Sequence, residues 1–212
     1  MSISSDANQI LREVVKQYAA FDSYADNGTV RRLADAGNPE RTIDFATLFR
    51  RPSHFRFEVR RPHPYPPLGH VVSRLAIVSD GAAVRYLQQK PQEPLQIETK
   101  ESLGVAIAAL TGVSHGSVHT IGRLLIPEVT GLSLLDLTDA RLEADATIGQ
   151  STCYRIAARH PWSGDRMEVW VDKRSWLIRK KTTYHDGFQA DEVRENVRVN
   201  ERLDEALFDP NA

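Results

Sequence analysis

Apolar and polar residues alternate with a period of two over much of the chain. In 54–60, Phe55, Phe57 and Val59 alternate with His54, Arg56, Glu58 and Arg60, as in a strand with one apolar and one polar face. The same reading predicts strands over 24–33, 41–50, 71–79 and 82–88. Ile43, Phe45, Thr47 and Phe49 share one face of the second of these. Asp35-Ala36-Gly37-Asn38-Pro39 and Ser79-Asp80-Gly81 supply turn residues between them. Five more strands are expected over 141–148, 152–159, 166–172, 176–184 and 191–199, spaced as in an antiparallel meander. Met167, Val169 and Val171 mark one apolar face there, and Val193, Val197 and Val199 mark another.

Two stretches change period. In 6–21, Asp6 stands where a helix cap would, and Ile10, Leu11, Val14, Val15, Tyr18 and Phe21 fall on one broad helical face. From 99 to 137, Leu103, Ile107, Leu110, Val118, Ile121, Leu124 and Leu125 recur at helical spacing, with Gly112 and Gly116 breaking the segment. The expected order is therefore helix, five strands, two short apolar helices within about 99–125, and five strands. No repeat or linker divides it, so 1–212 is expected to form one domain. A long antiparallel sheet must curl, and this one predicts a mainly β (α+β) fold. Its single curved sheet forms a half-open β-barrel with helices on its concave side.

The 27 Lys and Arg nearly balance the 28 Asp and Glu, which gives no global charge to draw the chain to nucleic acid. Arg56, Arg60 and Arg61, and the run Arg179-Lys180-Lys181 near Trp170 and Trp176, are interleaved with Glu58, Glu168 and Asp172. They read as solvated sheet faces. The single cysteine, Cys153, excludes an internal disulfide framework and reads as a packed strand residue. The longest apolar run, 105–110, is far shorter than the roughly 20 residues that span a bilayer. The first nine residues lack a secretion signal's charged leader and apolar core. That leaves two places open: the cytoplasm, or an envelope compartment after a signal has been trimmed.

Candidate chemistry is sparse. Gly112-Val113-Ser114-His115-Gly116 matches the G-x-S-x-G of hydrolases, but that motif needs a strand-to-helix turn in a parallel α/β sheet. Here helical residues precede it, and the expectation is a loop between two helices with a solvated Ser114 hydroxyl. His115 and His119 are four apart, with neither H-E-x-x-H nor an obvious third ligand. Neither a metal nor any other cofactor is expected. Pro62-His63-Pro64-Tyr65-Pro66-Pro67 reads as a stiff extended spacer, or as a lip at a cavity rim. What remains is apolar surface: Phe45, Phe49, Phe55, Phe57 and Tyr86 on neighbouring strands, facing two greasy helices. Those helices either plug the sheet as its core or act as a lid over a pocket for acyl chains, whose burial gains about 0.8 kcal/mol per methylene.

A strand opened by Arg51-Pro52-Ser53-His54-Phe55, followed by one ending in Val78-Ser79-Asp80-Gly81 with Tyr86 soon after, resembles the periplasmic lipoprotein carriers of the LolA-like family. The match covers about forty residues, and the rest of the chain agrees in layout. The resemblance implies a non-enzymatic envelope carrier or binder of lipoprotein acyl chains or another lipid. It implies a periplasmic monomer with its signal removed, served by membrane-bound donor and acceptor proteins. It assigns Arg51 and Phe55, which match the arginine and phenylalanine of the RP-x-x-F strand, to cargo handling. With them, Phe45, Phe49, Phe57 and Tyr86 on the strands and Leu103, Ile107, Leu110, Ile121 and Leu124 on the helices form the expected lipid site. The sequence departs from the family pattern in its proline-rich insert and at Val84, where tryptophan is common. Two other readings stand beside it: an envelope sensor or protein-interaction module on the same fold and, more distantly, a serine hydrolase using Ser114.

Overall fold

The computed structural model describes residues 6–33, 40–62, 72–129, 131–185 and 188–211. The turn at 35–39, most of the proline-rich insert, Val71 and the turn at 186–187 lie outside the described residues. Eleven strands form one antiparallel sheet: β1 (Ser23–Arg32), β2 (Arg41–Arg50), β3 (His54–Pro62), β4 (Val72–Asp80), β5 (Val84–Gln89), β6 (Gln96–Lys100), β7 (Thr138–Ile148), β8 (Ser151–Arg159), β9 (Arg166–Asp172), β10 (Ile178–His185) and β11 (Phe188–Val199). Their order is β6-β5-β4-β3-β2-β1-β11-β10-β9-β8-β7, so the first and last strands pair at the centre and β6 and β7 are left as edges. Neighbours in sequence are neighbours in space except β6 and β7, which lie at opposite edges, and the β1–β11 seam joins the two meanders. The sheet stays open, and three helices lie on one face: α1 (Ala7–Ala19), α2 (Leu103–Leu110) and α3 (Ser117–Leu125). The expected half-open barrel with a helical cover is therefore the architecture. No described helix is long and apolar enough to cross a membrane.

α1 begins where Asp6 accepts a hydrogen bond from the Asn8 amide. It buries Ile10, Leu11, Val14 and Tyr18 against the sheet. Fixing its position, the Tyr18 hydroxyl accepts a hydrogen bond from the Ile178 amide at 3.1 Å. The inner core continues through Tyr24, Val30, Ile43, Phe45, Phe49, Phe55, Phe57 and Val59 on one side, and Ile156, Met167, Val169, Val171 and Ile178 on the other. Cys153 is buried and free. A second, smaller cluster lies on the outer face, where the C-terminal segment folds back. Leu203 and Phe208 cover Ala25, Ala76, Val78 and Leu87 there, and Arg56 donates to the Leu207 carbonyl at 2.9 Å.

Three sequence expectations need correction. First, β6 falls partly inside the stretch read as helical. Gln96-Ile97-Glu98-Thr99-Lys100 pairs with β5, but it carries one aliphatic residue and is an exposed edge, so alternation could not reveal it. The lid helices accordingly begin at Leu103 and are interrupted between Leu110 and Ser117. Second, β11 carries an extra residue opposite β1, where the register shifts between Ala25 and Asn27 and Asn196 takes a positive φ of 51°. One extra residue reverses which side chains face inward. Val197 and Val199 pack on the inner core, but so do Glu192 and Arg194, while Val193 does not. Third, Lys181 is buried on the inner face and is not solvated, because β10 has its own irregularity between Ile178 and Lys180. Arg56, Glu58 and Arg60 lie on the outer face, but only Arg60 is solvated: Arg56 and Glu58 are buried there, with Glu58 bonded to Arg56 at 3.3 Å, Arg60 at 3.0 Å and Arg74 at 2.9 Å, and Glu168 and Asp172 are buried too. Arg56, Glu58 and Arg60 border an outer cleft of about 910 Å³ that Leu207 also lines.

Candidate functional site

The aromatic residues expected on one face are brought together there. Phe45 and Phe57 stack with ring centroids 5.6 Å apart. Phe45 sits opposite Gly28 in the β1–β2 register, and a Cβ at Gly28 would lie 2.6 Å from its ring. A larger residue at 28 would drive that ring out of place. Phe49 and Phe55 are completely buried. Above them, Ile107 and Leu110 of α2 and Ile121, Leu124 and Leu125 of α3 close the interior. At Gly122, the smallest residue of α3, a Cβ would lie 3.6 Å from Ile107 and 3.8 Å from Phe55. Of the residues expected to form the lipid site, only Arg51, Tyr86 and Leu103 keep appreciable exposure. The helices plug the sheet in this state.

Arg51 reaches the other helix. Its guanidinium donates to the Phe21 carbonyl at 2.7 Å and to the Ala19 carbonyl, and it lies over the Phe49 ring at 5.4 Å. It satisfies carbonyls at the C-terminal end of α1, where a cation is also favoured by the helix dipole. Tyr86 takes a cation of its own, with Lys100 Nζ 5.5 Å from the ring centroid.

The turn between α2 and α3 contains the serine of the G-x-S-x-G match. Ser114 is fully buried, contrary to the solvated hydroxyl expected, and it donates to the Thr111 carbonyl at 3.1 Å. The turn needs a left-handed residue at Gly116, with φ of 80°, and places His115 at 49°. His119 Nε2 lies 2.7 Å from Thr111 Oγ1. Burial, then the nearby Lys181 ammonium, lower the His119 pKa below its ordinary value. Among the described residues, no group of three or more His, Cys, Asp or Glu is placed to hold a metal ion.

Sequence reasoning missed the most unusual feature of this interior. Beneath α3 lie four buried charged residues, Asp26, Lys181, Glu192 and Arg194. Arg194 bonds Asp26 at 2.5 Å and Glu192 at 2.7 Å, and Lys181 bonds Glu192 at 3.0 Å. α3 completes the cluster. The Thr120 hydroxyl donates to Glu192 at 2.8 Å and accepts from Lys181 at 2.5 Å, and the Ser117 carbonyl accepts from Arg194 at 2.8 Å. The guanidinium also covers the Phe45 ring at 4.7 Å. Burial pushes the Glu192 carboxyl up, but the Lys181 and Arg194 charges outweigh that and hold it below the usual carboxylate range. Burial pulls the Arg194 pKa down, and Asp26 and Glu192 more than offset it. The one sequence signal was the pair Glu192 and Arg194 two apart on an otherwise strand-like run. It could not be used without seeing the bulge that turns both inward.

Tyr24 donates to Asp26 at 2.5 Å and is buried beside Tyr18. Burial pushes Tyr18 up to about 12 and Tyr24 well above the ordinary phenol value. A raised folded-state pKa means stability that is complete below about pH 10 and is lost as pH rises towards the folded value. The expected result is that tyrosinate absorbance in a rapid alkaline titration stops short of the amplitude for all six tyrosines. The last two should appear only as far-ultraviolet dichroism is lost. Smooth titration of all six near pH 10 in the folded protein would contradict it.

The open eleven-stranded sheet with helices on one face resembles the fold of solved mycobacterial lipoproteins. The protein is similar over nearly its whole length to lipoprotein LppX from Mycobacterium tuberculosis, with a TM-score of 0.53 at 10% identity over 93% of this chain and 97% of that one. It is similar in the same way to LprF from Mycobacterium bovis, with a TM-score of 0.52 at 11% identity over 93% and 94%. The LolA superfamily protein NE2245 from Nitrosomonas europaea aligns over 98% of this chain and 99% of that one, with a TM-score of 0.39 at 14% identity. No family model and no curated protein sequence matches the chain. At such identities the likeness is one of fold.

Proposed function

We propose that the protein is a non-enzymatic, monomeric carrier or binder of acyl chains, those of a lipoprotein or another lipid, in the bacterial periplasm. It would receive and release its cargo at membrane-bound partners. The observation that carries this reading is the construction of the cover. α2 has 8 residues and α3 has 9, fewer than the roughly 12–15 an isolated helix needs to be even marginally stable. They keep their form by lying on Phe45, Phe49, Phe55 and Phe57. An acyl chain offers the same apolar contact and needs no directional partner, so it can take the place of Ile107, Leu110, Ile121 and Leu124 on that surface. Leu103 and Ile126, at the outer ends of α2 and α3, border a cleft of about 390 Å³ against Pro52, Ser53 and Gly81 in the strand turns. A chain could begin to enter there. In this reading Arg51 keeps α1 in place while the other two helices move. The buried Ser114 hydroxyl, bonded to a carbonyl, favours a carrier over a hydrolase.

The test is mass spectrometry of a denatured extract of the purified protein, followed by titration of the delipidated protein with a fluorescent fatty-acid probe. Acyl species in the extract and saturable probe binding are expected. A protein that carries no acyl species and binds no probe is not a carrier.

A further inference from the structure

The four charges under α3 sum to zero, since Asp26 and Glu192 balance Lys181 and Arg194, and all four are buried. The strand side supplies every one of these ions. To this cluster α3 offers two uncharged groups, the Thr120 hydroxyl and the Ser117 carbonyl. The cation on α3, Arg123, turns away to the carbonyls of Pro127 and Val129. If α3 is displaced, the Arg194–Asp26, Arg194–Glu192 and Lys181–Glu192 pairs can persist, because they are made within the sheet, on β1, β10 and β11. Lys181 loses a neutral acceptor, Glu192 loses a neutral donor and Arg194 loses a carbonyl.

We infer that the polar end of the cargo is an uncharged ester head bearing a hydroxyl, of the acylglycerol kind. Its carbonyl takes the place of the Ser117 carbonyl on Arg194, and its hydroxyl takes the place of Thr120 between Lys181 and Glu192. This rests on the carrier reading and specifies the ligand of that same site. The selectivity follows from electrostatics. A neutral head satisfies all three lost bonds and leaves the cluster balanced. An ionised fatty acid brings an unmatched negative charge into a dry, already neutral cluster, and an unpaired charge there is costly. It also has no proton to donate to Glu192. A free mono- or diacylglycerol carries both groups, whereas the fully esterified glyceryl thioether of a lipid-modified protein supplies the carbonyl but no hydroxyl to donate to Glu192.

The experiment uses the delipidated full chain loaded with the fluorescent fatty-acid probe, displaced by two competitors with the same acyl chain. One is a monoacylglycerol and the other the free fatty acid, at a pH where the latter is ionised. The monoacylglycerol is expected to displace the probe at least about tenfold more tightly. Glu192→Gln leaves the cluster with one excess positive charge, so the preference should shrink or invert in favour of the fatty acid. Reading the ratio within one protein cancels any general loss of stability. Asp26→Asn makes the same change of charge from the far end of the cluster and serves if the first variant does not fold. Equal or tighter displacement by the fatty acid in the unmodified protein, or a ratio that neither variant moves, overturns the inference and leaves the carrier standing. Should neither the probe nor the monoacylglycerol bind the delipidated protein, followed for the latter by mass spectrometry of the washed complex, both fall.

Discussion

Phe55→Glu is expected to cost the protein several kcal/mol, a large part of the 5–15 kcal/mol typical of a whole domain. Phe55 is completely buried on the inner face of β3, next to Phe49 in the β2–β3 register and beneath Gly122 of α3. Among the described residues, no cation is bonded at that spot. Arg51 is committed to carbonyls of Phe21 and Ala19, and Arg194 is committed to Asp26, Glu192 and Ser117. A carboxylate there must lose its water without a partner, or take up a proton, and either is costly. It can also be relieved by lifting α2 and α3. Urea unfolding gives the cost, and hydrogen exchange says how it is met. Fast exchange confined to 103–125, with the sheet amides still protected, would show the helices leaving as a unit. Uniform loss of protection would show global unfolding. Near-native stability with unchanged exchange would contradict the closed interior described for this state. Phe55→Leu, which keeps an apolar side chain, serves as the control for lost packing alone.

The contrast between what alternation revealed and what it concealed has a physical origin. β2 and β3 were legible because Ile43, Phe45, Phe49, Phe55, Phe57 and Val59 all face one core and both strands keep an unbroken register. α1 was legible because a capping aspartate and a broad apolar face point to the same element. The ion cluster was not, for two connected reasons. A charged residue on a strand is ordinarily read as facing water, and only pairing across strands makes its burial affordable. Asp26 is far from the other three in the chain and Lys181 lies on a different strand from Glu192 and Arg194, so the four meet only because β1 pairs with β11 and β10 with β11. The bulges in β11 and β10 then reverse the alternation at Arg194 and Lys181. The short exposed β6 and the C-terminal return through Phe208 left little periodic trace, since each contributes few apolar residues. The resemblance at Arg51 and Phe55 located the strand correctly, but the contact Arg51 makes with α1 depends on the path of another element.

Arg194→Met should be the most damaging single change in the ion cluster, with an expected loss of about 3–5 kcal/mol. The side chain is completely inaccessible and holds Asp26, Glu192 and the Ser117 carbonyl at once. Methionine fills much of the space but leaves two buried carboxylates facing one ammonium, Lys181. Adding Asp26→Leu removes the charge left without a partner, so the double variant is expected to recover part of the loss although it carries one more substitution. That non-additivity is what separates a charge effect from a packing effect. The pH dependence gives a second sign. In the unmodified protein the Glu192 pKa is depressed, so the stability it contributes is present above the unfolded value near 4.3 and is lost as pH falls through the folded one. In Arg194→Met the cluster regains neutrality by taking up one proton, so the deficit relative to the unmodified protein should narrow between neutral pH and about pH 5. Chemical denaturation of the three proteins at both pH values checks this. A deficit below about 1 kcal/mol, a double variant no better than the single, or a deficit that grows on acidification would mean that these ions do not hold α3 to the sheet as a charge-balanced unit.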